Sequence, residues 1–554
     1  MSVSAAQEAQ LEIVPGQVSH RTELRATPTA EPYCTHMVCL RRTMVFRMLA
    51  VVAALGCLGT LSSVGSPGAV DHYQKISDLN GGFAVPLDDE DAFGVAVASL
   101  GDLNRDGVVD LAVGATGDDD GGQDRGAVYI LFLSEDGTVD DHTKISSTQG
   151  GFTGTLSNAD NFGTSLATIG DLDDDGVQDI AVGAVFDDDG GTDRGAIWIL
   201  FLNADGTVKN QSKISDTTGG FDGELGDRDY FGFSLAAIGD LDGDGIEDLA
   251  TGVSHDDDGG ADRGAVYVLF LSKDGTVREN QKISSASGGF TGTLDDGDDF
   301  GRSVAFLGAQ PGLGASALAV GADTDDDGGV NRGAVYILSL AANGMVNSHS
   351  KISDTEGGLS ASLANSDLFG RAVSGVADAN GDTIPDIVVN GGRDDDGATD
   401  SGALYVLFMN LSGYVSSWSK ISNTAGNLGA ILDHTDLFGQ ALCRIGDLDG
   451  NGAEDVVASS KEDDDGGINR GALYVLFMEA TFPGTGDVNL DGQIDLLDVR
   501  LCLQIANGIL VPTPPQWTQA DVDGSGVVDM QDVQALGEYV IGIRTHLPYE
   551  DTGE

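Results

Sequence analysis

The sequence predicts an all-β protein, a β-propeller of six four-stranded blades, with a small α-helical module behind it. Three observations carry this. The tripeptide Lys-Ile-Ser begins at Lys75, Lys144, Lys213, Lys282, Lys351 and Lys420, a constant step of 69 residues. Phe-Gly recurs in the same phase at Phe93, Phe162, Phe231, Phe300, Phe369 and Phe438. A unit of this length is large for a solenoid turn and suits one propeller blade. The period then stops after Pro483, where a different pair of acidic loops begins.

Within one unit the strands are readable in order. In the third, Phe231–Ile238 is the first strand and Asp248–Val253 a short apolar second. Ala265–Leu271 is the third, and its unbroken apolar run predicts burial on both faces, as between neighbouring blades. Asp274-Gly275 makes a hairpin turn, and Gln281–Ser284 is a short outer strand with the polar residues of an edge. Trp198 replaces the Tyr of Tyr129 and Tyr267 and is read as core packing. The last unit ends after its third strand, Leu473–Met478, while a spare strand, Tyr73–Ser77, precedes the first unit. The N-terminal strand is therefore expected to complete the sixth blade and close the ring.

Composition narrows the function. The net charge of −61 argues against nucleic acid, whose phosphates need basic patches. Hydrophobic residues make up 41%, enough for real cores, so the acids either keep the chain soluble or hold cations. Beyond the leader only Cys443 and Cys502 remain, in separate regions, so no disulfide framework is expected. Arg41, Arg42 and Arg47 precede an apolar run from Met48 to Leu61 and small residues up to Ala69, the layout of a secretory signal. That run is too short for a membrane span, so a secreted or cell-surface protein without a transmembrane span after processing is expected.

Between first and second strands sits an acidic nine-residue loop. In unit three, oxygen ligands fall at Asp240, Asp242, Asp244 and Asp248, with the backbone carbonyl of Ile246 at position seven. Alternate side chains of a tightly turned loop converge on one centre, the arrangement a hard Ca²⁺ ion needs. The pattern repeats as Asp102, Asn104, Asp106, Val108 and Asp110 in unit one, and as Asp171, Asp173, Asp175, Val177 and Asp179 in unit two. Unit five has Asp378, Asn380, Asp382, Ile384 and Asp386; unit six has Asp447, Asp449, Asn451, Ala453 and Asp455. Unit four carries Ala309, Pro311, Leu313 and Ala317 at the ligand positions and is expected to be metal-free.

A second acidic loop, Asp118-Asp119-Asp120-Gly121-Gly122 and then Asp124-Arg125-Gly126, joins strands two and three and recurs at Asp187, Asp256, Asp325, Asp394 and Asp463. Strand alternation places it on the opposite face, together with the blade-to-blade connections, which makes that face negative. A solvated hairpin braced by its own Arg is the first reading; a further metal site or a ligand surface is the alternative.

These residues closely resemble FG-GAP repeats, the units of the integrin α-chain propeller. The matching segments are Phe231-Gly232, the Asp240–Asp248 loop and Leu249-Ala250-Thr251-Gly252-Val253, and the likeness covers roughly residues 70–480. It implies Ca²⁺ in loops of the lower face and ligand contact on the upper one. That family usually has seven repeats; this chain shows six.

In the tail, two loops carry ligands at positions 1, 3, 5, 7, 9 and 12 with Gly at 6, the spacing of an EF-hand loop. The first is Asp487, Asn489, Asp491, Gln493, Asp495 and Asp498; the second is Asp521, Asp523, Ser525, Val527, Asp529 and Asp532. Apolar residues follow at helical spacing: Val499, Cys502, Leu503 and Ala506, then Val533, Leu536 and Val540. Twin loop-helix units of this size resemble dockerin type I domains. The resemblance implies calcium as cofactor, a cohesin-type domain as partner, and recognition through Leu496, Leu497, Met530 and Gln531.

The domain reading is an N-terminal extension and signal at 1–69, propeller at 70–480, linker at 481–486, dockerin at 487–547 and tail at 548–554. No nucleophile–base constellation stands out, and His255 is the sharpest single departure among the repeats. The expected function is an extracellular binding or adhesion module with a protein or polysaccharide ligand on the propeller face. The alternative, from the dockerin's company, is a polysaccharide hydrolase or lyase.

Overall fold

The computed structural model describes residues 67–310, 314–380, 382, 384–479, 488, 496–507, 509–510, 520 and 530–540. The leader reading therefore lies outside the described residues.

Six antiparallel four-stranded sheets form the ring. Blade one comprises Phe93–Gly101, Asp110–Ala115, Ala127–Leu133 and Val139–Ile145. Blade three comprises Ser234–Ala237, Leu249–Val253, Ala265–Leu271 and Val277–Ile283. The sixth sheet is made of Leu442–Gly446, Asp455–Ser460, Ala472–Met478 and, at its outer edge, Val70–Ile76. Ile76 pairs with Leu473 and Val70 with Met478, so the N-terminal strand closes the ring as the spare strand implied.

Several strand limits differ from the sequence reading: the closing strand is Val70–Ile76 rather than Tyr73–Ser77, and the second strand of blade three starts at Leu249 and the third of blade six at Ala472, each one residue away from the expected start. The outer strand of blade three runs over Val277–Ile283, longer than Gln281–Ser284, because Ala265–Leu271 offers it a full ladder. The first strand begins only at Ser234 there, since Tyr230 and Gly232 take positive φ and interrupt pairing at the Phe-Gly step.

The third strands, such as Ala127–Leu133 and Ala265–Leu271, are buried at every position. One core cluster joins Val128 and Ile130 of blade one to Trp198 and Leu200 of blade two, so the core lies between blades. Each Phe of Phe-Gly is fully buried, and Phe300, Phe369 and Phe438 meet Tyr336, Tyr405 and Tyr474 edge-on at 5.5, 5.7 and 5.5 Å. Trp198 packs edge-on against Phe152 at 5.0 Å, a core role. The glycine of the second strand has a steric cause. A Cβ on Gly252 would lie 1.9 Å from the Gly301 carbonyl of the next blade's Phe-Gly, so only glycine fits.

C-terminal to the ring in sequence, the helices Leu496–Ala506 and Met530–Val540 share a small core of Val488, Cys502, Ile505, Ala520, Val533 and Leu536. Cys443 and Cys502 are both buried. Among the described residues no helix is long and apolar enough to cross a membrane.

Candidate metal centre and ligand face

Each nine-residue loop is held by its own side chains. The N–H at position five donates to the position-one carboxylate in all five acidic loops, as Asp244 does to Asp240 at 2.9 Å. The N–H at position seven (Val108, Val177, Ile246, Ile384 or Ala453) donates to the side chain at position five. Position nine reaches furthest. Asp248 Oδ2 accepts from Leu241 N–H at 3.0 Å within the loop, and its Oδ1 accepts from Leu271 N–H at 3.3 Å at the end of the third strand. Asp179, Asp386 and Asp455 make the same two contacts. The position-nine aspartate is thus a tie between loop and sheet as well as a candidate ligand, a role the loop spacing alone does not reveal.

In three loops the structure gathers oxygens from positions one, three and nine within 4.8 Å of one another: Asp171, Asp173 and Asp179; Asp240, Asp242 and Asp248; Asp447, Asp449 and Asp455. Burial pushes Asp110, Asp179 and Asp248 up to about 6, and Asp386 and Asp455 up to about 7. A divalent cation beside them would favour the charged form. An all-oxygen donor set on a turn already shaped by backbone bonds fits Ca²⁺. In blades one and five the position-three group is an amide, and Asn104 Nδ2 donates to Asp106 Oδ2 at 2.7 Å.

Position five has a competitor in two blades. Lys209 from the outer strand of blade two pairs with Asp173 and Asp175, and Arg278 of blade three lies 2.6 Å from Asp242 and 2.8 Å from Asp244. Among the described residues, blade four forms no such loop. Ser303–Gln310 and Gly314–Ala322 run on as a ladder, with Gly308 opposite Ala317 and Gln310 opposite Gly314. Ala309 is exposed and Ala317 fully buried, while Pro311 and Leu313 lie outside the described residues.

On the opposite face each Asp-Asp-Asp-Gly hairpin is braced by the Lys of Lys-Ile-Ser and not by an Arg of its own, which blade five replaces with Ser401. Lys213 lies 2.7 Å from both Asp187 and Asp189, and Lys351 lies 2.7 Å from both Asp325 and Asp327. Lys75, Lys144, Lys282 and Lys420 repeat the pairing. An ammonium sits where a second metal would have to, which disfavours that alternative. The hairpin Arg instead ties the next connection, as Arg263 Nε does to Asp296 at 2.8 Å and Arg470 Nε to Asp89 at 3.0 Å.

In the tail, Asp498 is buried in the first turn of Leu496–Ala506, and Asp532 lies within Met530–Val540. Leu496, Leu497 and Met530 stand exposed at the helix starts; Gln531 begins the second helix beside Met530. Asp487, Asn489, Asp491, Gln493, Asp495, Asp521, Asp523, Ser525, Val527 and Asp529 lie outside the described residues.

Comparison with known proteins agrees with this architecture. The FG-GAP repeat family matches residues 93–131, 162–200 and 231–269, and the dockerin type I domain family matches residues 485–541. Integrin alpha-5 of Xenopus laevis is 36% identical over 165 residues, 29% of this chain and 14% of that protein. Integrin alpha-7 of Rattus norvegicus is 33% identical over 160 residues, 29% of this chain and 12% of that protein. Integrin alpha-PS5 of Drosophila melanogaster is 34% identical over 164 residues, 29% of this chain and 15% of that protein. The chain thus spans only a small part of the length of these relatives. A solved chain, BBS1N in complex with ARL6DN, aligns with a TM-score of 0.34 and 13% identity over 69% of this chain and 79% of that one. The chain is a six-bladed β-propeller that carries FG-GAP repeats in its first three blades and a dockerin type I domain at its C-terminal end.

Proposed function

We propose that the protein is a secreted, calcium-loaded binding module. Its dockerin attaches it to a cohesin-bearing partner, and its propeller offers the hairpin face to an extracellular ligand. The observation that carries this reading is the dockerin match at 485–541 behind a closed propeller. A docking domain has a use only where a second surface does something, and the propeller is the only other large surface described. The apolar run Met48–Leu61 behind three arginines supports export, and calcium outside the cell would saturate the acidic loops. In the dockerin loops Asp487, Asp491, Asp495 and Asp498 would repel one another without an ion, so docking is expected to depend on calcium.

The test compares the full protein with a chain ending at Gly484 on an immobilised cohesin-bearing partner. The full protein is retained in calcium and released by chelation; the shorter chain passes through while keeping its propeller fold. Equal retention of both refutes the docking role. Turnover by either chain on a polysaccharide panel would replace the binding reading with an enzymatic one.

A further inference from the structure

Around the central channel, at the hairpin face, the sixfold pattern breaks. The residue after Phe-Gly runs Val95, Thr164, Phe233, Arg302, Arg371 and Gln440. The second strands end beside it at Ser254, Asp323, Gly392 and Lys461 in blades three to six. These departures meet. Arg302 of the same blade and Arg371 of the next blade each lie 3.5 Å from Asp323 Oδ2. Arg302 also covers the Phe233 ring at 4.3 Å, and Arg371 Nε donates to Gln440 Oε1 at 2.8 Å. Lys461 has Glu462 at 3.7 Å.

The site is built rather than incidental. Gly392 stands where Arg371 passes: a Cβ there would come within 2.6 Å of Arg371 Cδ. Burial, with Arg302 nearby, lowers Arg371 to about 10, and burial with Arg371 nearby lowers Lys461. Arg371 stays charged at neutral pH and lies near a further cation, the exposed Arg393. Against these four cations stand Asp323, Glu462 and Asp299, and burial followed by the charge of Asp323 raises Asp299 to about 7. A chain of net charge −61 has therefore gathered cations, partly desolvated, at one mouth, at a cost that an anion would offset.

Two more observations define the ligand. Asp323 Oδ1, Ser254 Oγ and Ser460 Oγ are buried without a hydrogen-bond partner, all at the ends of second strands around this mouth. The site therefore asks for hydroxyl-type donors and acceptors as well as for negative charge. Aromatic surface lies beside it: Tyr230 faces His255 at 4.6 Å and Phe186 at 5.3 Å. The surrounding Asp-Asp-Asp hairpins would repel a polyanion laid across the face, which leaves room for one acidic group rather than a run of them.

We propose that this mouth binds a saccharide bearing a single carboxylate, received by Arg371, Arg302 and Lys461, with sugar hydroxyls toward Asp323. This deepens the binding reading above by naming the ligand class of the hairpin face.

The test is calorimetric titration of the full calcium-loaded protein with an oligosaccharide ending in one glucuronate. Controls are its neutral glucose-ended counterpart, sodium acetate and an acidic tetrapeptide. Saturable binding of the glucuronate probe is expected, at least tenfold tighter than any control. It should weaken at least tenfold in both Arg371→Gln and Lys461→Gln. Melting curves of each variant separate lost binding from lost fold, and Lys461, a quarter exposed, is the safer substitution. Binding unchanged in Lys461→Gln, or equal binding of the neutral sugar, overturns the proposal. So does acetate or the peptide matching the probe, and so does no binding at all. Retention on the cohesin-bearing partner, measured on the same samples, fails or succeeds independently and reports on the docking reading alone.

Discussion

Lys282 stands 2.7 Å from Asp256 and 3.6 Å from Asp258, and 5.7 Å from the centre of the Tyr267 ring. Asp256 is almost fully buried, so removing the ammonium leaves a desolvated carboxylate without its counter-charge. Lys282→Met is expected to cost about 2–4 kcal/mol in urea unfolding. Asp258, more exposed and held by Ser284, carries less of it. The pairing was legible in principle. Lys420 and Asp394 are 26 residues apart, and the same offset joins Lys144 to Asp118. Sequence proximity points first to the Arg that five of the six hairpins contain, which hides this longer-range pairing.

Asp229 makes the opposite case. It accepts the Gly226 N–H at 2.6 Å, yet burial raises it to about 6 from 3.8. Its native form holds a proton that the unfolded chain has already released between those values. Its ionisation therefore costs nothing below about pH 4, costs progressively more up to pH 6, and costs the full amount above. Asp229→Asn keeps the acceptor and drops the charge. It is expected to stabilise by on the order of 1–2 kcal/mol at pH 7.5 and to change nothing near pH 4, read from urea midpoints at the two values. A variant destabilised equally at both would show that the hydrogen bond, not the charge, decides.

At the scale of the element, the five acidic loops and the blade-four hairpin are two solutions to one turn. The loop replaces ladder pairs by bonds to Asp side chains and a cation; the hairpin keeps the ladder, with Phe306 opposite Leu318. Calcium titration of the propeller should therefore count five ions and none in blade four, and Asp240→Ala should remove one. Each filled site contributes about 2.7 kcal/mol at a free calcium concentration of 100 times its dissociation constant, so excess chelator should lower the melting temperature markedly. An ion bound at the blade-four turn, or an unchanged melting curve, would contradict this. The elements differ in how openly the sequence declares them. Third strands such as Ala265–Leu271 show seven apolar residues in a row. Outer strands such as Val277–Ile283 alternate a few buried residues with Arg278, Glu279 and Asn280, and their strand character comes from the ladder they complete. The channel-mouth cations are legible only after the fold has brought three separate segments together.

At the scale of the molecule, one strand decides whether there is a ring. Val70–Ile76 supplies the outer edge of the sixth sheet, 397 to 408 residues from its partners in sequence, through pairs from Ile76–Leu473 to Val70–Met478. Its side chains reinforce the seam. His72 stacks on Phe477 at 4.2 Å, and Lys75 lies 2.8 Å from both Asp463 and Asp465. Deleting residues 70–77 should do three things at once. It bares the edge of Ala472–Met478, a fully apolar strand open to pairing with another chain. It leaves Asp463 buried without its ammonium. It also separates the closure of the first blade from the last, so that the remaining sheets lose the mutual support of a ring. The expected result is a lower, broader melting transition with soluble oligomers by light scattering, while substitution of the exposed Asp71 by Ala, in the same strand, leaves both unchanged. A truncated chain that stays monomeric with an unshifted transition would mean that the seam between the sixth and first blades holds without the strand, and that closure rests on the Phe93 and Leu473 packing between them.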